Sequence, residues 1–180
     1  MQPASTPILN LAGIRLRPIA RSDMADWYGY LQDPQAIEHT SWKLSGIDDL
    51  APLFDSFESS APTSMLRFAI ANAEDRLIGT IGFHTVSPLY QHGELAYDLA
   101  PAYWGRGIAP AACRQVCDWA FRELGWVRIH AHVLDSNAAS RRVLEKCGFR
   151  HEGRLHDLRP VRGELRNFDL YALLRRHWQG

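Results

Sequence analysis

Residues 97–109 read Tyr97-Asp98-Leu99-Ala100-Pro101-Ala102-Tyr103-Trp104-Gly105-Arg106-Gly107-Ile108-Ala109, and this stretch decides the fold. A strand runs into a tight glycine turn, and a helix opens straight out of the turn. The first N–H groups of a helix have no partner inside it, and the helix dipole puts partial positive charge at the same end. Gly105 and Gly107 carry no Cβ, so the chain can turn sharply and a ligand can approach the backbone. The segment therefore predicts a cradle for a phosphate-bearing ligand. Pro110 follows inside the first turn of the helix. Proline lacks an N–H, so the donor set ends at Ala109. The plainer reading of the two glycines is an ordinary strand-to-helix turn.

Working outward, residues 107–124 have helical periodicity, with Ile108, Ala112, Val116, Trp119 and Ala120 on one face and Arg114, Gln115, Asp118 and Arg122 outside it. Upstream, residues 65–71 and 77–86 read as strands joined across Asn72-Ala73-Glu74-Asp75, and 93–99 as a third. Residues 14–18 alternate like an edge strand that Pro18 ends. Ser22 or Asp23 is placed to cap a helix carrying Trp27, Tyr28 and Leu31, which stops before Pro34. Short helical pieces fill 33–62, with Leu50, Leu53, Phe54 and Phe57 at helical spacing. Downstream, Val127, Ile129, Ala131 and Val133 alternate along a strand over 127–134. Asn137 fits the N-cap of a short helix that Gly148 closes, and strands near 149–158 and 165–174 end the chain. The sum is α+β: a largely antiparallel sheet with one βαβ unit and flanking helices. Residues 1–12 read as a loose N-terminal arm and 13–180 as a single domain.

Of 180 residues, 46% are hydrophobic and 22% charged, ordinary values for a soluble domain. No apolar run approaches the ~20 residues that span a bilayer. There is no signal-peptide pattern, so a cytoplasmic protein is expected. Cys113, Cys117 and Cys147 lack metal-type spacing and suit a reducing compartment as buried small apolar groups. His130 and His132 share a strand face, with His84 and His92 on neighbouring strands, but no third ligand has motif spacing. No metal is expected, and a polar strand face near a substrate cleft is the preferred reading. Net charge is +0, which argues against nucleic acid. Acidic residues outnumber basic ones two to one across 1–100, and the ratio inverts across 141–180. That asymmetry suits an anionic ligand at one side and a cationic one at the other, or else a solvated surface.

Three features then lie in order. They are Glu94-Leu95-Ala96-Tyr97; the loop Pro101 to Ala109; and Asn137-Ala138-Ala139-Ser140-Arg141-Arg142-Val143-Leu144-Glu145-Lys146-Cys147-Gly148-Phe149. With these the chain resembles the GNAT N-acetyltransferase superfamily, and within it the RimJ/RimL-like branch that acetylates ribosomal-protein N-termini. The resemblance runs from about Ile14 onward and rests on order and spacing rather than on one motif. It implies a GNAT-like fold with a βαβ acetyl-CoA-binding core, and acetyl-CoA as donor. The pyrophosphate would sit on the amides of Arg106, Gly107, Ile108 and Ala109, beside Trp104 and Gly105. The pantetheine arm would run along the strand Tyr97–Leu99 as an added strand does, with an amide near Tyr97 facing the thioester oxygen. Asn137, Ser140, Arg142 and Lys146 complete the expected cofactor contacts, the last two near the adenosine phosphate. Trp104 stands where many members carry Gln or Arg, but it suits this branch.

By the same resemblance Glu94 is the expected general base, acting directly or through a water. Burial is expected to raise its pKa. The alternative is a strand residue paired with an arginine. Ser140 is expected near the cofactor sulphur as a proton donor, or as a plain first-turn serine. Many relatives place a tyrosine acid where Leu144 stands, so that group is missing here. Asn137 needs no role beyond its cap. Trp27, Tyr28, Tyr30, Trp42, Phe54 and Phe57 are expected in the core, with some lining the acceptor pocket.

The expected function is acetyl transfer to a primary amine, first a protein N-terminal α-amine and next a small amine. The alternative is a non-catalytic acyl-CoA-binding regulatory module on the same fold. A homodimer is kept open. A dinucleotide-binding loop is excluded by context, since the spacing is G-x-G-x-A and falls late, after an antiparallel region.

Overall fold

The computed structural model describes residues 5–41 and 43–179. Trp42 and the first four residues of the arm lie outside the described set. The chain runs β1 (Arg15–Pro18), α1 (Met24–Leu31), α2 (Pro34–Ile37), α3 (Ala51–Glu58), β2 (Leu66–Ala71), β3 (Leu77–Ser87), β4 (His92–Leu99), α4 (Ile108–Glu123), β5 (Arg128–Leu134), α5 (Ala138–Lys146), β6 (Arg150–Val161) and β7 (Glu164–Leu174). The strands form one sheet in the order β1-β2-β3-β4-β5-β7-β6. Among the described residues only β4 and β5 run parallel; the other neighbouring pairs are antiparallel. This is the mixed, mostly antiparallel α+β architecture expected from the sequence.

The parallel pair fixes the site. Three positions are in register, His92 with Arg128, Gly93 with Ile129 and Glu94 with His130. Beyond them the strands part. β4 stays paired with β3 as far as Leu99 opposite Gly79, and β5 stays paired with β7 as far as Leu134 opposite Phe168. The sheet is therefore split from Leu95 and Ala131 onward. Gly93 holds the closed end, because a Cβ there would meet the Trp126 ring at 2.5 Å. With glycine in place, Trp126 lies against the strand and meets Phe83 edge-on at 4.6 Å between ring centroids.

One face of the sheet is covered by α4 and α5. The predicted apolar stripe of α4 is buried, together with Cys113, Cys117 and Phe121. Burial of side chains this size stabilises by about 1.5–3 kcal/mol each. The three thiols are free and buried, as expected, and Cys147 Sγ donates to the Pro110 carbonyl at 3.4 Å, tying the end of α5 to the first turn of α4. The other face carries a second cluster, in which Trp27 packs with Phe54 and Phe57 at 6.0 and 6.3 Å.

Three local expectations are corrected. Asp23 does not cap α1 with its side chain. Its carboxylate turns back, accepts from the Ala20 amide at 2.9 Å and from both terminal nitrogens of Arg17 at 2.7 and 2.8 Å. The charge of Arg17 outcompetes a helix amide for the same oxygens. The arm is not loose over 5–12, since Leu9 and Leu11 pack on the core and Ser5 Oγ accepts from Trp119 Nε1 at 3.0 Å. Val127 is exposed and precedes β5, whereas Ile129, Ala131 and Val133 are buried.

Candidate active site

At the split, a cavity of about 340 Å³ passes between β4 and β5. Glu94, Asp98, His84, Arg67, His132 and Arg159 line it, and Tyr97, Asn137 and Ser140 also reach it. Side chains alternate faces along a strand. Leu95, Tyr97 and Leu99 pack with the α4 core, leaving Glu94, Ala96 and Asp98 on the opposite face. The cavity touches both sets, so it connects the two faces of the sheet.

At the α4 end, Gly105 and Gly107 have φ of +74° and +75°, a left-handed conformation that costs other residues about 1–2 kcal/mol. Gly107 is the N-cap residue, and the first helical bond runs from the Ala111 amide to the Gly107 carbonyl at 3.2 Å. Among the described residues, the amides of Gly105, Arg106, Gly107, Ile108 and Ala109 have no acceptor. The loop is exposed, and a Cβ at either glycine would meet only open space. Trp104 Nε1 donates to the Leu99 carbonyl at 2.7 Å, fastening the loop to the end of β4. Arg106 lies over the Tyr103 ring at 5.1 Å. Asn137 caps α5 by accepting from the Ser140 amide at 2.9 Å. Arg142 and Lys146 are exposed and carry no ion pair among the described residues.

Tyr97 contributes a group that its sequence position did not announce. Its hydroxyl lies 2.8 Å from Ser140 Oγ. Burial pushes the phenol well above its usual pKa, so the pair stays protonated and sits in the same cavity. Leu144 is fully buried, and the phenol beside Ser140 comes from β4.

Glu94 departs from expectation. Burial pushes its carboxyl up, but the hydrogen bond and charge of His132, with Arg159 and His84, outweigh burial and hold it at about 2. His132 Nδ1 lies 2.9 Å and the Arg159 guanidinium 3.4 Å from Oε1, and Thr85 Oγ1 donates to Oε2 at 3.3 Å. The expected rise is reversed because the carboxylate accepts hydrogen bonds from His132 and Thr85 and lies beside the Arg159 guanidinium. Beside it, Asp98 accepts from Thr80 Oγ1 at 2.8 Å and from the Tyr30 hydroxyl, and pairs with Arg67 at 3.5 Å. Arg67 also donates to the Ala96 carbonyl at 2.8 Å. Burial lowers its pKa. His84 is held neutral by burial, near 3.

Residues 14–150 match the family model described as an acetyltransferase (GNAT) domain. The chain belongs to the GNAT acetyltransferase family. It is an N-acetyltransferase of that family, and the resemblance read from its motifs holds. The uncharacterized N-acetyltransferase p20 of Bacillus licheniformis is 28% identical over 172 residues, covering 93% of this chain and 96% of that one. Two solved GNAT-like structures share the fold. A spermidine N-acetyltransferase from Vibrio cholerae, in complex with CoA and spermine, superposes with a TM-score of 0.83 at 20% identity, covering 94% of this chain and all of that one. The ribosomal-protein-S5-alanine acetyltransferase of Vibrio fischeri gives 0.82 at 20% identity, covering 98% and 100%. No described helix is long and apolar enough to cross a membrane.

Proposed function

We propose that this chain transfers acetyl from acetyl-CoA to the α-amine of a protein N-terminus. The observation that carries the reading is the split of the sheet beyond Glu94–His130, which opens a polar cavity between β4 and β5, with the unpaired amides at the start of α4 following directly from the end of β4. The diphosphate sits on the amides from Gly105 to Ala109. The pantetheine arm lies along the unpaired side of β4 toward Tyr97, and the adenosine phosphate meets Arg142 and Lys146. A backbone amide near Tyr97 steadies the thioester oxygen as negative charge grows there, an effect worth about 3 kcal/mol for a well-placed donor. The hydroxyl pair of Tyr97 and Ser140 donates a hydrogen bond to the departing thiolate. Glu94 is the fixed negative charge beside the incoming amine.

Charge pairing in the acceptor half selects among amines. Glu94 is matched by Arg159 and accepts a hydrogen bond from His132, and Asp98 is matched by Arg67. A polyamine needs spare carboxylates to hold its second and third charges, and these two are already engaged. An N-terminal amine brings one positive charge and loses it before attack. The test is thiol release from acetyl-CoA with peptides carrying free N-termini, against spermidine and spermine. Faster release with peptides is expected. Release with polyamines alone refutes the choice of acceptor, and no release above hydrolysis with any amine supports a non-catalytic CoA-binding module instead.

A further inference from the structure

We propose that His132 is the general base of this transfer and that Glu94 is the residue that positions it; the proposal rests on the acetyl-transfer reading above. His132 follows His130 on the same face of β5. His130 is the last residue of β5 in register with β4, so His132 is the first on that face beyond the fork. Its Nδ1 faces Glu94 Oε1 at 2.9 Å. An ionised carboxylate only accepts, so Nδ1 carries the hydrogen and Nε2 is left as the basic nitrogen. Among the described residues Nε2 makes no hydrogen bond, the side chain keeps 18% of its surface exposed, and the residue lines the cavity. The charged and titratable groups facing it are Glu94 from β4, His84 from β3, His130 from its own strand and Arg159 from β6, while β7 places Leu170 opposite it. Glu94 itself is already engaged by His132 and Arg159 at Oε1 and by Thr85 at Oε2, which leaves it poorly placed to take an amine proton. An imidazole is the side chain that ordinarily trades protons near neutral pH.

The step balances. The amine nitrogen attacks the thioester carbonyl carbon and its proton passes to His132 Nε2. The C–S bond breaks with its electron pair on sulphur, where the Tyr97–Ser140 hydroxyls donate a hydrogen bond to the growing charge. The imidazolium returns its proton to the thiolate through solvent, giving amide and free thiol with Glu94 ionised throughout.

The test uses the full chain with CoA binding measured in parallel. H132Q is expected to lose about 10²-fold or more in kcat while its CoA affinity stays within about twofold of the parent. Added imidazole is expected to restore turnover to H132A but not to E94Q, and the rise of kcat/KM with pH should be lost in H132Q. H132Q within about threefold of the parent overturns the proposal. So does a loss that imidazole leaves unrescued while the pH profile is unchanged. A second measurement needs no turnover. In ¹⁵N imidazole spectra of the unliganded protein, His132 is expected as the Nδ1–H tautomer, shifting toward a mixture in E94Q. An Nε2–H tautomer overturns the proposal whatever the assay gives. A parent that fails to bind CoA instead refutes the function proposed above.

Discussion

Asp98 and Arg67 offer the sharpest stability test, because both are buried and each is the other's counter-ion. Arg67 exposes 3% of its side chain and Asp98 8%. D98N keeps the shape and leaves a guanidinium in the interior without its charge partner, where Trp27 lies 5.8 Å away. Breaking a buried pair from one side costs about 3–5 kcal/mol. For a domain of this length each kcal/mol lowers Tm by about 2–4 °C, so D98N should melt roughly 10 °C below the parent. R67M removes the other charge but leaves Asp98 its donors from Thr80 and Tyr30, so it should cost less. In R67M/D98N no charge remains to be stranded, and the double variant should be more stable than the sum of the singles predicts, by about 1–3 kcal/mol. Urea unfolding of the four proteins, with shared m-values, measures the cycle. Additive losses within about 0.5 kcal/mol, or a D98N protein within about 1 kcal/mol of the parent, would show that the pair is not coupled in the way its burial requires.

Two further outcomes are expected. Stability should fall on acidification in two overlapping windows. His84 and His130 are held neutral by burial, near 3 and 4, so the unfolded chain takes up protons first and stability declines as pH drops from about 6.5. Glu94, held at about 2, adds a loss from about 4.5 downward worth roughly 3 kcal/mol when complete. Urea midpoints between pH 8 and 4 measure the first window; H84Q should flatten it, and an unchanged slope in that variant contradicts the assignment. Cys113, Cys117 and Cys147 are buried with raised thiol pKa at Cys113 and Cys147. A thiol reagent should therefore label none in the native protein and all three in urea, and rapid native labelling counts against the packing of α4 on α5.

Most of the architecture was legible because it rests on local signals. The glycine turn, the 3.6-residue stripe of α4, the period-2 strands and the Asn137 cap each act within a few residues. Even the α4 donor set could be bounded from Pro110. Cross-strand chemistry was not legible. Glu94 meets His132 across the parallel β4–β5 pair, and Arg159 arrives from a strand 65 residues away, so the pKa of Glu94 could not be read from its neighbours in sequence. The His130-x-His132 spacing was a visible signal, but only strand pairing says which carboxylate the face meets. Tyr97 was expected to act through its backbone; its phenol reaches Ser140 across 43 positions. Asp23 shows the same rule at smaller scale, since a nearby arginine redirected a side chain that local propensity assigns to a cap.

The central claim is that the free amides between Trp104 and Pro110 hold a diphosphate while the unpaired side of β4 holds the chain attached to it. Amide chemical shifts followed during a titration with coenzyme A test this most directly. The account predicts saturable shifts at Gly105, Arg106, Gly107, Ile108 and Ala109, with smaller ones along Ala96 to Leu99. Saturation without movement of the Gly105–Ala109 amides, or no saturable change at millimolar coenzyme A, would contradict it.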